Sequence, residues 1–242
     1  MIHTDTSDSF ATYAEGCDNV SFSEWLRERS EPAWTDATRH QFVEELGEDT
    51  LDDEVFRRYL IQDYAFLETG ASVVGYAVGQ AHTLEEKAEL TDALSVLTGS
   101  ENDYFERSFD ALEVSKTELS DTELTPTMQE FREVMLRAAL EGGYEETLAV
   151  TLAAEWVYFS WATHVDSQSP SRFYLDEWVE IHANPEFEDY ISWLCDQMDQ
   201  YGPKLSAERQ SRIDTLFRRA VELEAAFFDM AYTAETTDDQ AL

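Results

Sequence analysis

The stretch YLIQDYAFLETG, residues 59–70, decides how this chain folds. Its apolar residues recur three and four positions apart, the spacing of one face of an α-helix. On that helix the neighbours of Asp63 are Tyr59, Leu60, Phe66 and Leu67, so a carboxylate stands inside the core-facing stripe. An acid buried there has to be matched by a partner or put to use. The same period runs outward through Phe56 and on to Val74 and Ala77, and the helix is expected to begin after Thr50 with Asp53 placed for a capping box.

Helical patterns continue on both sides. SFSEWLRERS reads as one helix, and Ser30 with Pro32 suits the start of the next. Downstream come TLEEKAELTDALSVLTG, closed by Gly99, and the amphipathic ENDYFERSFDALEVSK. Thr125 and Pro126 open PTMQEFREVMLRAALEGG, which Gly142 and Gly143 end. YEETLAVTLAAEWVYFSWATHV is apolar nearly all round and belongs at the centre of a core. SRFYLDEWVEIHANPEFEDYISWLCDQM reads as a helix kinked or broken at Pro185, and SAERQSRIDTLFRRAVELEAAFFDMAYTA as the last. No alternating strand pattern competes, so the expected architecture is an all-α, single-domain, multi-helix bundle. With 5 Pro and 9 Gly in 242 residues, nothing divides the chain into halves. Residues 1–20 read as a flexible acidic segment, 21–234 as one helical domain, and 235–242 as a flexible acidic tail.

Charge narrows the function. Against 52 Asp and Glu stand only 16 Lys and Arg, a formal net charge of −36. Such a surface repels phosphate, which argues against nucleic acid or anionic membrane as a partner. The chain is nevertheless 43% hydrophobic and 13% aromatic, too rich for disorder. Because at about 1 M salt the Debye length shrinks to roughly 3 Å, the acid excess points to a protein of a high-salt cytosol. No apolar run is long enough to span a bilayer and no secretory leader is apparent, so a cytoplasmic location is expected. Cys17 and Cys195 lie far apart without metal-ligand spacing and are expected to be reduced thiols.

Two further acids repeat the anomaly of Asp63. Glu155 is flanked at helical spacing by Thr151, Leu152, Tyr158 and Phe159, and Glu224 by Ala220, Val221, Phe227 and Phe228. His182 follows Trp178 and Val179 on another core-facing stripe. Any one of these acids taken alone is more often a buried group satisfied by a neighbouring helix. All four residues are explained at once by a shared polar cavity whose aromatic walls suit a flat heterocycle.

At this point FRRYLIQDYAFL (56–67), LAAEWVYFSWA (152–162), EWVEIHANPEF (177–187) and ELEAAFFDMAY (222–232), in that order and spacing, resemble the TenA/thiaminase II family, all-helical proteins of the haem-oxygenase-like fold. The resemblance extends from about residue 35 to 232. It implies hydrolysis of an amino or formylamino group from a degraded thiamin pyrimidine, without a cofactor and in a homo-oligomer. It further implies that Asp63 binds the pyrimidine amino group, that Glu224 donates and accepts protons at the ring, and that Glu155 replaces the family's nucleophilic cysteine. Phe66, Gln129, Phe159 and His182 fall where the cysteine-type pocket carries tyrosines, so the pyrimidine is expected to stack between Phe66 and Phe159. Two alternatives accompany this reading. One is a metal-dependent oxidase of the same fold using Glu155, His182, Glu186 and Asp189, although Glu-x-x-His pairs are absent. The other is a pyrimidine-binding or regulatory protein that keeps the pocket without the chemistry.

Overall fold

The computed structural model describes residues 9–15 and 21–233. Among these residues there are helices and connecting loops and no strand. After α1 (Phe10–Glu15) come α2 (Phe22–Arg29), α3 (Ala33–Thr38), α4 (Gln41–Gly47) and the long α5 (Asp53–Gln80). The middle of the chain gives α6 (Leu84–Thr98), α7 (Ser100–Ala111), α8 (Lys116–Asp121) and α9 (Pro126–Glu141). The final part gives α10 (Tyr144–Val165), α11 (Phe173–Ala183), α12 (Pro185–Tyr201) and α13 (Ala207–Tyr232).

Helix α10 is apolar on every side and is accordingly the central pillar, in contact with α5, α9, α11, α12 and α13. Helices α5 and α13 lie against it and against each other, and α6 covers the outer side of α5. Rings fill the space between them: Tyr59 stacks on Phe227 at 4.7 Å and Phe42 on Phe228 at 5.1 Å, between ring centroids. No described helix is long and apolar enough to cross a membrane.

Several boundaries differ from the sequence reading. Ser30 does not open α3: it closes α2, its hydroxyl donating to the Leu26 carbonyl at 2.8 Å, and Pro32 stands at the N-cap of α3. Asp52, not Asp53, caps α5 by accepting from the Glu54 amide at 2.9 Å. Asp53 turns outward to Arg172 and Tyr174. The chain breaks fully before Pro185, where Asn184 donates from Nδ2 to the Ile181 carbonyl and accepts at Oδ1 from the Phe187 amide, each at 2.8 Å. One side chain thus ends α11 and starts α12. The pattern over ENDYFERSFDALEVSK stops at Ala111, and a separate short helix follows.

The segment expected to be flexible over residues 1–20 contains α1, whose Phe10 is buried against Phe22 and Trp25 with centroids 5.0 and 5.7 Å away. The rest of that expectation, the tail 235–242, and Cys17 lie outside the described residues.

Candidate active site

Asp63 on α5, Glu155 on α10 and Glu224 on α13 reach the wall of one cavity of about 790 Å³, joined by His182 from α11 and Phe66 from α5. Small residues, Gly70, Ala93, Thr151 and Ala154, are part of its wall. A methyl group added at Gly70 would meet nothing within 4 Å. The volume sits within the roughly 300–1,000 Å³ range of small-molecule pockets.

The acids are held in a low-dielectric setting with no lysine or arginine in the cavity wall. Burial pushes the Asp63 carboxyl up to about 7, and the charge of Glu155 adds to the effect. Burial lifts Glu155 to about 7 as well. Glu224 is raised well above the usual carboxylate range, first by burial and then by Asp63 and Glu155. It is 2% exposed, and its Oε2 has no hydrogen-bond partner among the described residues. Asp63 and Glu155 retain some accessible surface, but that surface is chamber wall rather than outer face. Buried carboxylates that raise one another's pKa do not all ionise together at neutral pH, so the group shares protons.

His182 is neutral, its pKa lowered to about 4 by burial. Nδ1 lies 2.8 Å from the Trp178 carbonyl. A carbonyl only accepts, so Nδ1 carries the hydrogen and Nε2 is left as an acceptor. The imidazole is wedged among Trp178, Tyr158 and Phe187, with centroids at 4.5, 4.9 and 5.4 Å. Behind it the Tyr59 and Tyr158 hydroxyls form a buried hydrogen bond of 2.6 Å.

Other assignments of the sequence reading are not met at the chamber. Gln129 is exposed on α9 and its Nε2 donates to the Leu124 carbonyl at 2.7 Å, while its neighbour Met128 lines the cavity. Phe159 is not part of the wall; it rests on Phe187, which is. Glu186 and Asp189 are exposed at the open end. Among the described residues no three His, Cys, Asp or Glu side chains come together as metal ligands, so the set Glu155, His182, Glu186 and Asp189 is not gathered around one point. The sequence reading missed Tyr158 and Trp178 as wall residues, although a hydroxyl and an indole N–H on greasy stripes are the same kind of signal as a misplaced acid.

Comparison with known proteins falls on this architecture. The model of the TENA/THI-4/PQQC family matches residues 27–234. An aminopyrimidine aminohydrolase of Halalkalibacterium halodurans is 26% identical over 216 residues, covering 88% of this chain and 96% of that protein. The protein of the same name from Helicobacter pylori is also 26% identical over 216 residues, with 88% and 99% covered. Among solved structures, a TenA family transcription regulator from Silicibacter superposes with a TM-score of 0.80 at 25% identity, covering 88% of this chain and 97% of its own. A TenA homologue from P. horikoshii OT3 gives 0.79 at 23% identity, with 88% and 99% covered. The shared architecture is the all-α, haem-oxygenase-like fold.

Proposed function

The chain belongs to the TENA/THI-4/PQQC family, and from that premise we propose that it is a hydrolase of thiamin pyrimidine salvage that removes the amino group of an aminomethylpyrimidine. The observation that carries this reading is the meeting of three carboxylates, from three helices, in one cation-free chamber. The printed names of the two curated relatives support the same chemistry.

In this reaction the oxygen of water bonds to the methylene carbon as the carbon–nitrogen bond breaks, and the electron pair of that bond leaves with nitrogen. An amine that arrives as ammonium departs as ammonia, and the proton lost by water passes to a carboxylate. Glu155, with a pKa near 7, suits the base, since a general base works best near the operating pH. Glu224 holds its proton more tightly and suits the acid that protonates a ring nitrogen and later recovers that proton. Asp63 accepts from the ring amino group, and Phe66 offers an aromatic face. Glu155 in the position of a nucleophilic cysteine replaces covalent attack with water activation.

Steady-state assay of Glu155→Gln and Glu224→Gln with aminomethyl and formylaminomethyl pyrimidines tests the proposal. General acid–base groups contribute about 10²–10⁴-fold, so each variant should lose at least about 100-fold in kcat while its circular dichroism stays native. Full activity in both variants would overturn the reading. The acid excess further supports work in a high-salt cytosol, and symmetric self-association belongs to the same reading.

A further inference from the structure

The histidines among the described residues do not all treat Nε2 alike. That nitrogen lies 3.2 Å from Asp229 in His40, 3.2 Å from Glu44 in His164 and 3.6 Å from Glu145 in His82. In each case the fold supplies a carboxylate to receive it. His182 differs: Nδ1–H is given to the Trp178 carbonyl, and Nε2 has no hydrogen-bond or ion-pair partner among the described residues. Nor is this nitrogen sealed in. The partnerless side-chain atoms that the described fold closes off from solvent are Ser108 Oγ, Trp161 Nε1, Trp178 Nε1 and Glu224 Oε2. His182 Nε2 is not one of them, so it keeps accessible surface although the residue is only 6% exposed. His182 is part of the chamber wall, and that is where this surface opens. Trp178 and Phe187 meet the imidazole edge to face, at 75° and 88°, and brace its plane.

The result is an acceptor of fixed sense. Asp63, Glu155 and Glu224 share protons, so whether one of them donates or accepts changes with pH. An imidazole held in its Nδ1–H form only accepts at Nε2. A buried acceptor without a donor carries a desolvation penalty, which a ligand N–H removes. In the hydrolytic reading Asp63 takes the amino group on the ring, and the substrate's other N–H donor is the nitrogen of its side arm. We propose that His182 is a specificity residue whose Nε2 accepts from that side-arm nitrogen, so that the site takes a primary amine or a secondary amide and rejects a nitrogen bearing no hydrogen. This rests on the hydrolytic reading above and narrows its substrate class. His182 orients the nitrogen and takes no proton from it.

The test compares the formylaminomethyl pyrimidine with its N-methyl counterpart, in which a methyl group replaces the side-arm hydrogen. The parent should favour the N–H amide in kcat/KM by at least about 100-fold. In His182→Leu that preference should shrink about 10-fold, while His182→Gln, which can still accept, keeps most of it. An unchanged ratio in His182→Leu overturns the proposal, since a packing role would lower both rates alike. Long-range proton–nitrogen NMR of the parent needs no variant. It should show Nδ1 protonated and Nε2 bare, with the Nε2 resonance moving when the hydroxymethyl product is added and far less with that product's methyl ether. A protonated Nε2 in the free protein, or no movement with either ligand, overturns the proposal. Equal movement with both places the donor on the ring amino group and overturns the side-arm assignment. If the parent leaves the amide intact, the NMR pair alone judges His182; if it leaves the aminomethyl pyrimidine intact as well, the hydrolytic reading fails separately.

Discussion

Asp63, Glu155 and Glu224 are carboxylates that the fold holds against their own ionisation. Their folded pKa values lie above those of the unfolded chain, so the folded state binds more protons between about pH 4 and 7. Stability contributed by these groups therefore rises as pH falls through 7, and the full cost of ionisation is present above it. Asp63→Asn should stabilise the protein by about 1–3 kcal/mol at pH 8 and by clearly less at pH 5. Urea unfolding of parent and variant at the two pH values reads this, and an equal gain at both would contradict it. At this scale the polar wall of the chamber was legible: an acid or imidazole on a greasy stripe marked all of Asp63, Glu155, Glu224 and His182 as residues that line it. Gln129 and Phe159 rested on resemblance alone and do not line the chamber. Adjacent helix positions point about 100° apart, so Met128 takes the inward direction and Gln129 the outward one. Phe159 sits one turn beyond Glu155, where α12 intervenes and Phe187 receives it.

Helix boundaries were legible where a capping side chain had no rival. Thr83 and Glu86 form the reciprocal capping box of α6, and Thr125 caps α9 ahead of Pro126. Ser30 and the Asp52–Asp53 pair were ambiguous, because a hydroxyl or carboxylate near a boundary can serve either neighbour and long-range partners decide. Arg172, far off in the chain, takes Asp53. Tertiary demand is also plain where α10 starts. Glu146 is buried, accepts from the Gly143 amide at 3.0 Å, and is paired with Arg209 of α13 through Nε at 2.9 Å. Arg209 also holds Glu145 at 2.8 Å. Arg209→Met leaves two acids at this joint unmatched and should cost about 3 kcal/mol, the lower end for a broken buried pair because Arg209 is half-open to water. Adding Glu146→Gln should recover part of the loss. Denaturant midpoints of the single and double variants measure both effects, and a single variant as stable as the parent would count against the pairing.

Across the whole molecule, the absence of any period-two pattern made the all-α class legible, while the meeting of distant helices at one chamber could only be guessed from their shared anomaly. Net charge acts at this scale too. With 52 acids against 16 basic residues, self-repulsion weakens the compact state unless salt screens it. Raising KCl from 0.1 to 2 M should therefore lift Tm by about 10 °C, equivalent to a few kcal/mol for a domain of this size. A melting temperature indifferent to salt would remove the high-salt reading. The chamber is assembled from residues 63, 155 and 224, each on a different helix, so no fragment of the chain owns it. A molecule that has wound its helices still lacks this chamber until α5, α10 and α13 are packed against one another. Regained helicity and regained turnover are thus two different clocks, and only the second one times the packing of all three helices.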